Sequence, residues 1–376
     1  MAEALAAPSL PLADKEEQVS VASQWQLTWW RFRKHHLAMA AGVVVILFYL
    51  AVIGADFLAY SDPEASEAQR SLLPPQPIHW LDNGLRPYVN PVVGKRDLQT
   101  FQRVYAPDET RKIPVQFFAH GFQYRVLGVF TSDLHLIGVD GARAEESLFL
   151  LGTDAQGRDV FSRLMYGTRI SLTIGLVSVA FSLLFGIVFG GISGYFGGIV
   201  DLVIQRIIEI LRSIPTIPLW MGLAAALPRN WDVTQIYFAI TIIISLIGWT
   251  ELARVVRGRF LSLREEDFVT AAELVGCSRT RIIFRHMVPS FLSHIIAATT
   301  LALPAMIISE TSLSFLGLGL RPPAISWGVL LQDAQNVQAI ALSPWLMAPA
   351  VPVILAVLAF NFLGDGLRDA ADPYGN

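Results

Sequence analysis

Ile170 to Val200 reads ISLTIGLVSVAFSLLFGIVFGGISGYFGGIV, 31 consecutive residues without a charge. About 20 apolar residues carry a helix across ~30 Å of hydrocarbon, so this run is long enough to span a membrane with residues to spare. Its second half places Gly186, Gly190, Gly194 and Gly198 at four-residue intervals. Residues four apart share one helix face, so these glycines make a flat groove against which another backbone packs closely. Static packing is the ordinary use of such a groove; a sliding or gating contact is the functional one.

Further runs lie on both sides. Leu37 to Ala55, Val233 to Thr250, Met287 to Ser309 and Ala334 to Gly364 are also free of charge. A sixth, Ser213 to Pro228, is short and needs part of Ile207–Leu211 to cross, so this span begins near Leu202. Arg206, Glu209 and Arg212 lie at i, i+3 and i+6 there, a spacing that pairs opposite charges along one helix edge. The fold class expected is an all-α integral membrane protein of six transmembrane helices. Pro215, Pro218, Pro304, Pro349 and Pro352 fall inside the apparent spans, where proline breaks the hydrogen-bond ladder and kinks a helix.

Composition agrees. Of 376 residues 53% are hydrophobic and 16% charged, against roughly 25% charged in soluble domains. The balance of 28 basic and 31 acidic residues excludes nucleic-acid binding by bulk charge, and the single cysteine, Cys277, excludes an intrachain disulfide. The first run is longer than a signal-peptide core and follows a 36-residue polar tail, so it reads as an uncleaved anchor.

Lys and Arg in short loops set orientation. Arg31, Arg33 and Lys34 precede the first span, and seven arginines from Arg254 to Arg285 fill the loop between the fourth and fifth. Six spans put both termini on the side of that loop, hence in the cytoplasm. The division expected is a cytoplasmic tail over 1–36, a first helix over 37–59, an extracytoplasmic insertion over 60–168, a five-helix core over 169–365 and a cytoplasmic tail over 366–376. Arg158, Arg163 and Arg169 fall on the outer side, against the charge rule. The insertion reads as a small irregular domain with strand-like alternation over Pro114–Phe130. It ends in a turn at Gly152–Gly157 and an interfacial amphipathic helix. Its histidines, His79, His120 and His135, are isolated and have no metal-ligand spacing.

Three features compete as functional sites. Gly191-Ile-Ser193-Gly194 superficially matches the serine motif of rhomboid intramembrane proteases, with His294 as the only embedded base; in a glycine-rich helix Ser193 is more simply a small packing residue. Glu310 ends the fifth run. An intramembrane carboxylate costs ~2.5–3.5 kcal/mol on insertion scales, so Glu310 either lines a translocation path or sits at the outer headgroup level. The third feature is the loop from Phe260 to Pro289. Glu265, Glu266 and Asp267 favour a helix start, Ala271 and Ala272 suit close docking, Gly276 ends the helix left-handed, and Ser278 caps a second helix. A DNA-binding helix-turn-helix shares the Ala-Ala and Gly spacing, but a reader wedged between two spans cannot reach a major groove.

That loop resembles the coupling motif of binding-protein-dependent ABC importer permeases: Glu-Ala-Ala, three residues, Gly, nine residues, Ile-x-Leu-Pro. Ala271, Ala272, Gly276 and Pro289 match at the family spacing, while Thr270 stands in place of the glutamate, and His286 and Val288 in place of Ile and Leu. The chain is similar to the dipeptide/oligopeptide/nickel branch over most of residues 150–373. The matching stretches are Leu151-Gly-Thr-Asp, Gly167-Thr-Arg-Ile-Ser-Leu172, Leu313-Ser-Phe-Leu-Gly-Leu-Gly-Leu320, Ser326-Trp-Gly328 and Gly364-Asp-Gly-Leu-Arg-Asp-Ala-Ala-Asp-Pro373. The resemblance implies a multi-pass permease of a bacterial inner membrane, not an enzyme. It further implies a second homologous permease, two ATP-binding subunits docked at Thr270–Gly276 and an extracytoplasmic solute-binding protein. ATP and Mg would be held by the ATPase partners. Consistently, the chain's four lysines (Lys15, Lys34, Lys95, Lys112) are never followed by Ser or Thr, as a P-loop requires.

Overall fold

The computed structural model describes residues 24–80, 87–96, 98, 103–126, 129–139, 148–228 and 230–371. Most of the amino-terminal tail, Arg229, Pro373 and parts of the insertion lie outside the described residues. The described residues form a helical body and a small β-rich outgrowth between the first span and the next. Helix α1 (Gln24–Lys34) leads into α2 (His36–Ile53), the first span, and a single turn α3 (Ala55–Leu58). The principal helices that follow are α4 (Val160–Phe196), α5 (Gly198–Ser213), α6 (Thr216–Ala225), α7 (Val233–Leu263), α8 (Asp267–Leu274), α9 (Leu292–Phe315), α10 (Trp327–Gln332) and α11 (Ala350–Ala371).

Among the described residues five helices are long and apolar enough to cross a membrane, and a sixth crossing exists if α5 and α6 form one broken span. Their axes turn by 85° between Ser213 and Thr216. The physical reason is Pro215 at the N-cap of α6, with Pro218 in its first turn; neither ring allows α5 to continue. The other prolines behave in the same way. Pro349 precedes α11 and Pro352 lies in its first turn, where the missing N–H costs nothing. Only Pro304 stands in a helix interior. The fifth and sixth runs therefore shift from the expected limits: α9 reaches Phe315, and α11 begins at Ala350 because short turns occupy the stretch before it.

α4 packs along α7, α9 along α11, and α11 along α2. The shared core holds Leu172, Ile174, Ile240, Ile244, Ile307 and Trp327, all nearly or fully buried. The glycine groove sets the closest of these approaches. A Cβ built on Gly186 would lie 2.7 Å from Cβ of Leu252, and one on Gly194 would lie 2.6 Å from Cβ of Phe260, while Gly190 faces the Ala253 backbone. Gly198 does not belong to this groove. It follows the break at Gly197, has φ +56°, and meets nothing within 4 Å. α7 answers with Gly248, whose face takes Ser182 and Met306.

The insertion is more regular than expected. Strands β1 (Tyr88–Val89), β4 (Ile113–Val126) and β5 (Phe130–Val139) form an antiparallel sheet in the order β1-β4-β5, and β2 (Val92–Arg96) pairs with β3 (Arg103–Pro107). Alternation along β4, with Ile113, Val115 and Ala119 inward, supplies a small core with Val89 and Leu148. The sheet rests on the end of the first span: His135 Nδ1 lies 3.1 Å from the carbonyl oxygen of Asp56.

The expected interfacial helix is instead the first part of α4, which runs unbroken from Val160 into the membrane. The three outward arginines explain how it starts. Arg158 and Arg163 face Asp154 at 2.7 and 3.6 Å, and Arg169 reaches Asp56 at 2.7 Å while Tyr166 donates to the same carboxylate at 2.6 Å. Asp154 and Asp56 thus pair these three arginines within the chain, two of them sharing one carboxylate. Asp159 caps α4 by accepting from Ser162 N at 2.7 Å and also accepts from Tyr60 Oη at 2.9 Å. Burial raises its pKa to about 6 against those bonds.

Candidate functional site

The loop after α7 has two faces with opposite chemistry. α7 runs on to Leu263, and its last turns join the start of α9 in a small core of Val256, Phe260, Ile282, Ile283, Met287 and Phe291. Helix α8 attaches to that core through Val269, 1% exposed. Everything opposite Val269 points away: Thr270, Ala271, Glu273 and Gly276 are exposed, and Ala272 is half-buried. Leu274 and Val275, apolar residues that folding ordinarily hides, are 84% and 83% exposed. The helix is thus anchored on one side and leaves an apolar pair uncovered on the other.

The end of α8 is a Schellman motif. Cys277 N donates to Ala272 O at 3.0 Å and Gly276 N to Glu273 O at 2.9 Å, with Gly276 at φ +83°. Nothing lies within 4 Å of a Cβ built on Gly276, so the residue is required by the turn and leaves an open approach beside it. Ser278 occupies the N-cap position of the next helix without making a side-chain cap bond. That helix widens into a π-turn over Ile282–Met287 ahead of Pro289. Proline lacks the donor and displaces the carbonyl four residues back, so the turn before it opens.

Two side-chain contacts connect this loop to the end of α4: Tyr195 Oη donates to Glu273 Oε1 at 2.7 Å, and the Arg279 guanidinium lies 5.4 Å from the centre of the Phe196 ring. Nearby, Asp201 of α5 is gripped by Nε and Nη2 of Arg257, both at 2.5 Å. Ser193 donates to the same carboxylate and accepts from Gln205 Nε2 at 3.0 Å. The alternative pairing of Ser193 with His294 is therefore absent: the hydroxyl is committed to Asp201, and no bond to His294 exists among the described residues. No group of three metal-ligating side chains occurs among them either.

Glu310 occupies neither of its expected settings. It is fully buried, accepting from Ser171 Oγ at 3.0 Å and from Ser314 Oγ at 2.9 Å. Ser171 in turn accepts from Trp327 N at 3.0 Å, Ser314 from Leu320 N at 3.1 Å, and the Trp327 indole donates to Thr168 at 3.1 Å. One carboxylate thus ties α4, α9 and α10 together, and it does so through the three stretches 167–172, 313–320 and 326–328. The stretch 151–158 forms a separate knot. Thr153 Oγ1 accepts from Leu73 N at 2.8 Å, and Asp154 accepts from the backbone of Gln156 and Arg158 at 2.8 and 3.0 Å.

The geometry is that of a membrane-spanning helical body carrying an anchored, exposed loop helix, and sequence comparison supplies the class. Residues 186–374 match the profile of the binding-protein-dependent transport system inner membrane component family, and the chain belongs to that family. Residues 23–75 match the N-terminal transmembrane domain of oligopeptide transport permease C. Among curated relatives, the oligopeptide transport system permease protein OppC of Escherichia coli K12 is 43% identical over 229 residues, covering 61% of this chain and 73% of its own length. OppC of Bacillus subtilis is 37% identical over 243 residues, with coverages of 64% and 76%. A putative peptide permease of Brucella suis is also 37% identical, with coverages of 64% and 78%. Of solved structures, a chain of the MetNI methionine ABC transporter in an inward-facing conformation aligns with TM-score 0.45 and 19% identity over 56% of this chain and 96% of its own. The protein is a multi-pass inner-membrane permease subunit of an ABC importer. Its family works with ATPase and binding-protein partners.

Two groups of residues were not anticipated. Tyr195 and Glu273 have no pattern that signals their pairing, since they are 78 positions apart. Arg212 was expected to pair along its own helix. Arg206 and Glu209 do so at 2.8 Å, whereas Arg212 bonds Glu251 of α7.

Proposed function

We propose that this subunit carries oligopeptides inward, together with a second homologous permease, two ATPase subunits and an extracytoplasmic binding protein. The termini, residues 1–36 and 366–376, and the loop 254–287 face the cytoplasm, and residues 60–168 face outward. The observation that carries the reading is α8: a helix fixed from below by Val269 and presenting Leu274, Val275 and Gly276 to a partner. Each ATPase seats a permease's loop helix in a surface cleft, and ATP and Mg bound there drive the two loops together. Tyr195–Glu273 and Arg279–Phe196 then hand that displacement to α4. Peptide as the cargo is supported by the OppC relatives and the Brucella permease.

The test is site-directed cross-linking in the assembled transporter. With Cys277→Ser as background, Leu274→Cys should cross-link to an ATPase subunit, and the yield should change when ATP is bound. Labelling of that cysteine from the cytoplasmic side of sealed vesicles should succeed without permeabilisation. A cysteine reached only from the outer side would overturn the orientation, and absence of any ATPase adduct would overturn the docking assignment.

A further inference from the structure

The first span has two faces. Val43, Ile46, Leu47, Leu50 and Ile53, spaced as one helical stripe, are exposed, while Ala38 and Ala41 are buried and Tyr49 and Val52 pack on the core. Helices meet one another in a membrane through small residues. Here Ala38 and Ala41 lie on the buried face, and the exposed stripe is wholly large and aliphatic. That composition suits acyl chains better than a neighbouring helix.

The stripe continues beyond α2. Gly54 N donates to Leu50 O at 2.8 Å and Leu58 N to Gly54 O at 2.9 Å, so the ladder runs on through α3. Asp56 extends the inward row, bonded to Arg169 and Tyr166, and Phe57, four residues past Ile53, extends the outward one. Arg33 and Lys34 precede the span, and Phe57 comes twenty-one residues after His36, a rise of about 32 Å. Hydrocarbon is ~30 Å thick. Phe57 therefore stands at headgroup level where the first span ends.

The outgrowth meets the span at that level. The Phe118 ring of β4 lies 6.2 Å from the Phe57 ring, yet Phe118 stays 60% exposed and Phe117 beside it 53%. Phe118 has φ +58°, an outlier for a bulky L-residue that persists only where the surroundings hold it. The sheet pairing skips it: Phe117 faces Ile137 and Ala119 faces His135. From Ile113 to Tyr124 the strand carries no Asp, Glu, Lys or Arg. His120, two residues on from Phe118, pairs with Asp133 at 3.0 Å and is open to solvent. The bare apolar surface is thus shallow and ends at that pair.

We propose that the outgrowth is seated on the bilayer. Phe118 and Phe117 dip into the leaflet at that end of the first span, and phospholipid covers the two rings that the chain leaves bare. Rings of this kind anchor surface elements at the boundary of headgroups and acyl chains, and His120 and Asp133 stay among the headgroups. The seat fixes the height of the sheet over the end of the span, where the Asp56 carbonyl meets His135. It needs only that α2 crosses the membrane, and it stands apart from the cargo reading.

The experiment uses the complete transporter in vesicles of phosphatidylethanolamine and phosphatidylglycerol, this chain carrying Cys277→Ser. Bimane is attached at Phe118→Cys, at the neighbouring Gln116→Cys, which keeps both rings, or at exposed Glu109→Cys as the solvent reference. Two quenchers are compared: iodide on both sides of the membrane, and phospholipid bearing a nitroxide near the head of its acyl chain. Bimane at 118 should be dimmed by the nitroxide lipid and spared by iodide, and bimane at 109 should show the reverse. Bimane at 116 should be dimmed by the nitroxide lipid as well. If the Phe118 variant fails to assemble, the Gln116 variant decides. Iodide quenching at 118 and 116 equal to that at 109, with no effect of nitroxide lipid, would overturn the seat. Shielding from both quenchers would overturn it too, because a second permease or another segment of this chain would then cover the rings.

Discussion

Replacing Gly276 separates two ways in which one residue can matter. The position has φ +83° and open space around its absent Cβ. An L-residue held left-handed is strained by about 1–2 kcal/mol, and no clash within the chain adds to that. Gly276→Ala should therefore lower the ratio of correctly turned to misturned loop by roughly five- to thirtyfold, without unfolding the membrane body. Gly276→Asn carries less strain, because asparagine tolerates this region, and should sit near wild type. Gly276→Trp fills the space beside Leu274 and Val275, where the ATPase is proposed to seat. It should abolish uptake and leave ATP hydrolysis uncoupled from transport, with the thermal melting of the purified chain close to that of Gly276→Ala. The assay measures peptide uptake and ATP turnover in the same proteoliposomes, alongside melting of each variant. Normal uptake by Gly276→Trp would refute the docking argument. A ranking in which alanine is as harmless as asparagine would refute the strain argument.

Four other outcomes follow from the geometry. Gly194→Val forces apart α4 and α7 at the 2.6 Å approach to Phe260 and should cost at least about 1–3 kcal/mol in thermal stability. Gly222→Ala, a helical position with nothing within 4 Å, should be neutral or stabilise by up to about 1 kcal/mol. Removing Ser171 takes a hydrogen bond from the buried Glu310 carboxyl and the acceptor from Trp327 N, so Ser171→Ala should destabilise by roughly 1–3 kcal/mol in the same melts; an unchanged melt would deny Glu310 its tying role. Asp159 binds its proton more tightly folded than unfolded, with its pKa raised to about 6. Stability from this group therefore rises as pH falls from about 6 towards 4 and is absent above, by up to ~3 kcal/mol. Asp159→Asn should flatten that part of the stability–pH curve, whatever its effect on absolute stability.

The spans were legible because lipid demands length and the absence of charge, and both can be counted along a chain. The helix and left-handed turn of the loop after α7 were legible for a similar local reason: the acidic start before Phe268, the small pair Ala271–Ala272 and Gly276 are all read from neighbours in sequence. What escaped depends on residues far apart. Pro215 announced a kink, but whether a kink bends by 20° or 85° depends on what receives the next segment, here the faces of α7 and α9 around Gly248 and Met306. Gly198 kept the four-residue rhythm yet lies past Gly197, where the helix stops, so periodicity outlived the element that gave it meaning. Arg158, Arg163 and Arg169 looked like misplaced positive charge until Asp154 and Asp56 were found beside them. Glu310 looked like an acid in search of water, and its actual partners are hydroxyls, one from α4 and one a turn further along its own helix.

The unbroken length of α4 has a mechanical meaning. Thirty-seven residues at 1.5 Å each make a rod of about 55 Å, well beyond the ~30 Å of hydrocarbon it crosses. Its head is clamped by Asp159, Tyr60 and Arg163 into the insertion, and its foot is clamped by Tyr195 and Phe196 to the docking loop. A pushrod of this kind delivers displacement from end to end without any chain of local refolding. On the proposed docking, a tug on the foot would carry the β-rich outgrowth at the head in the same stroke, and the stiffness of one helix would set how faithfully the two sides of the membrane keep time.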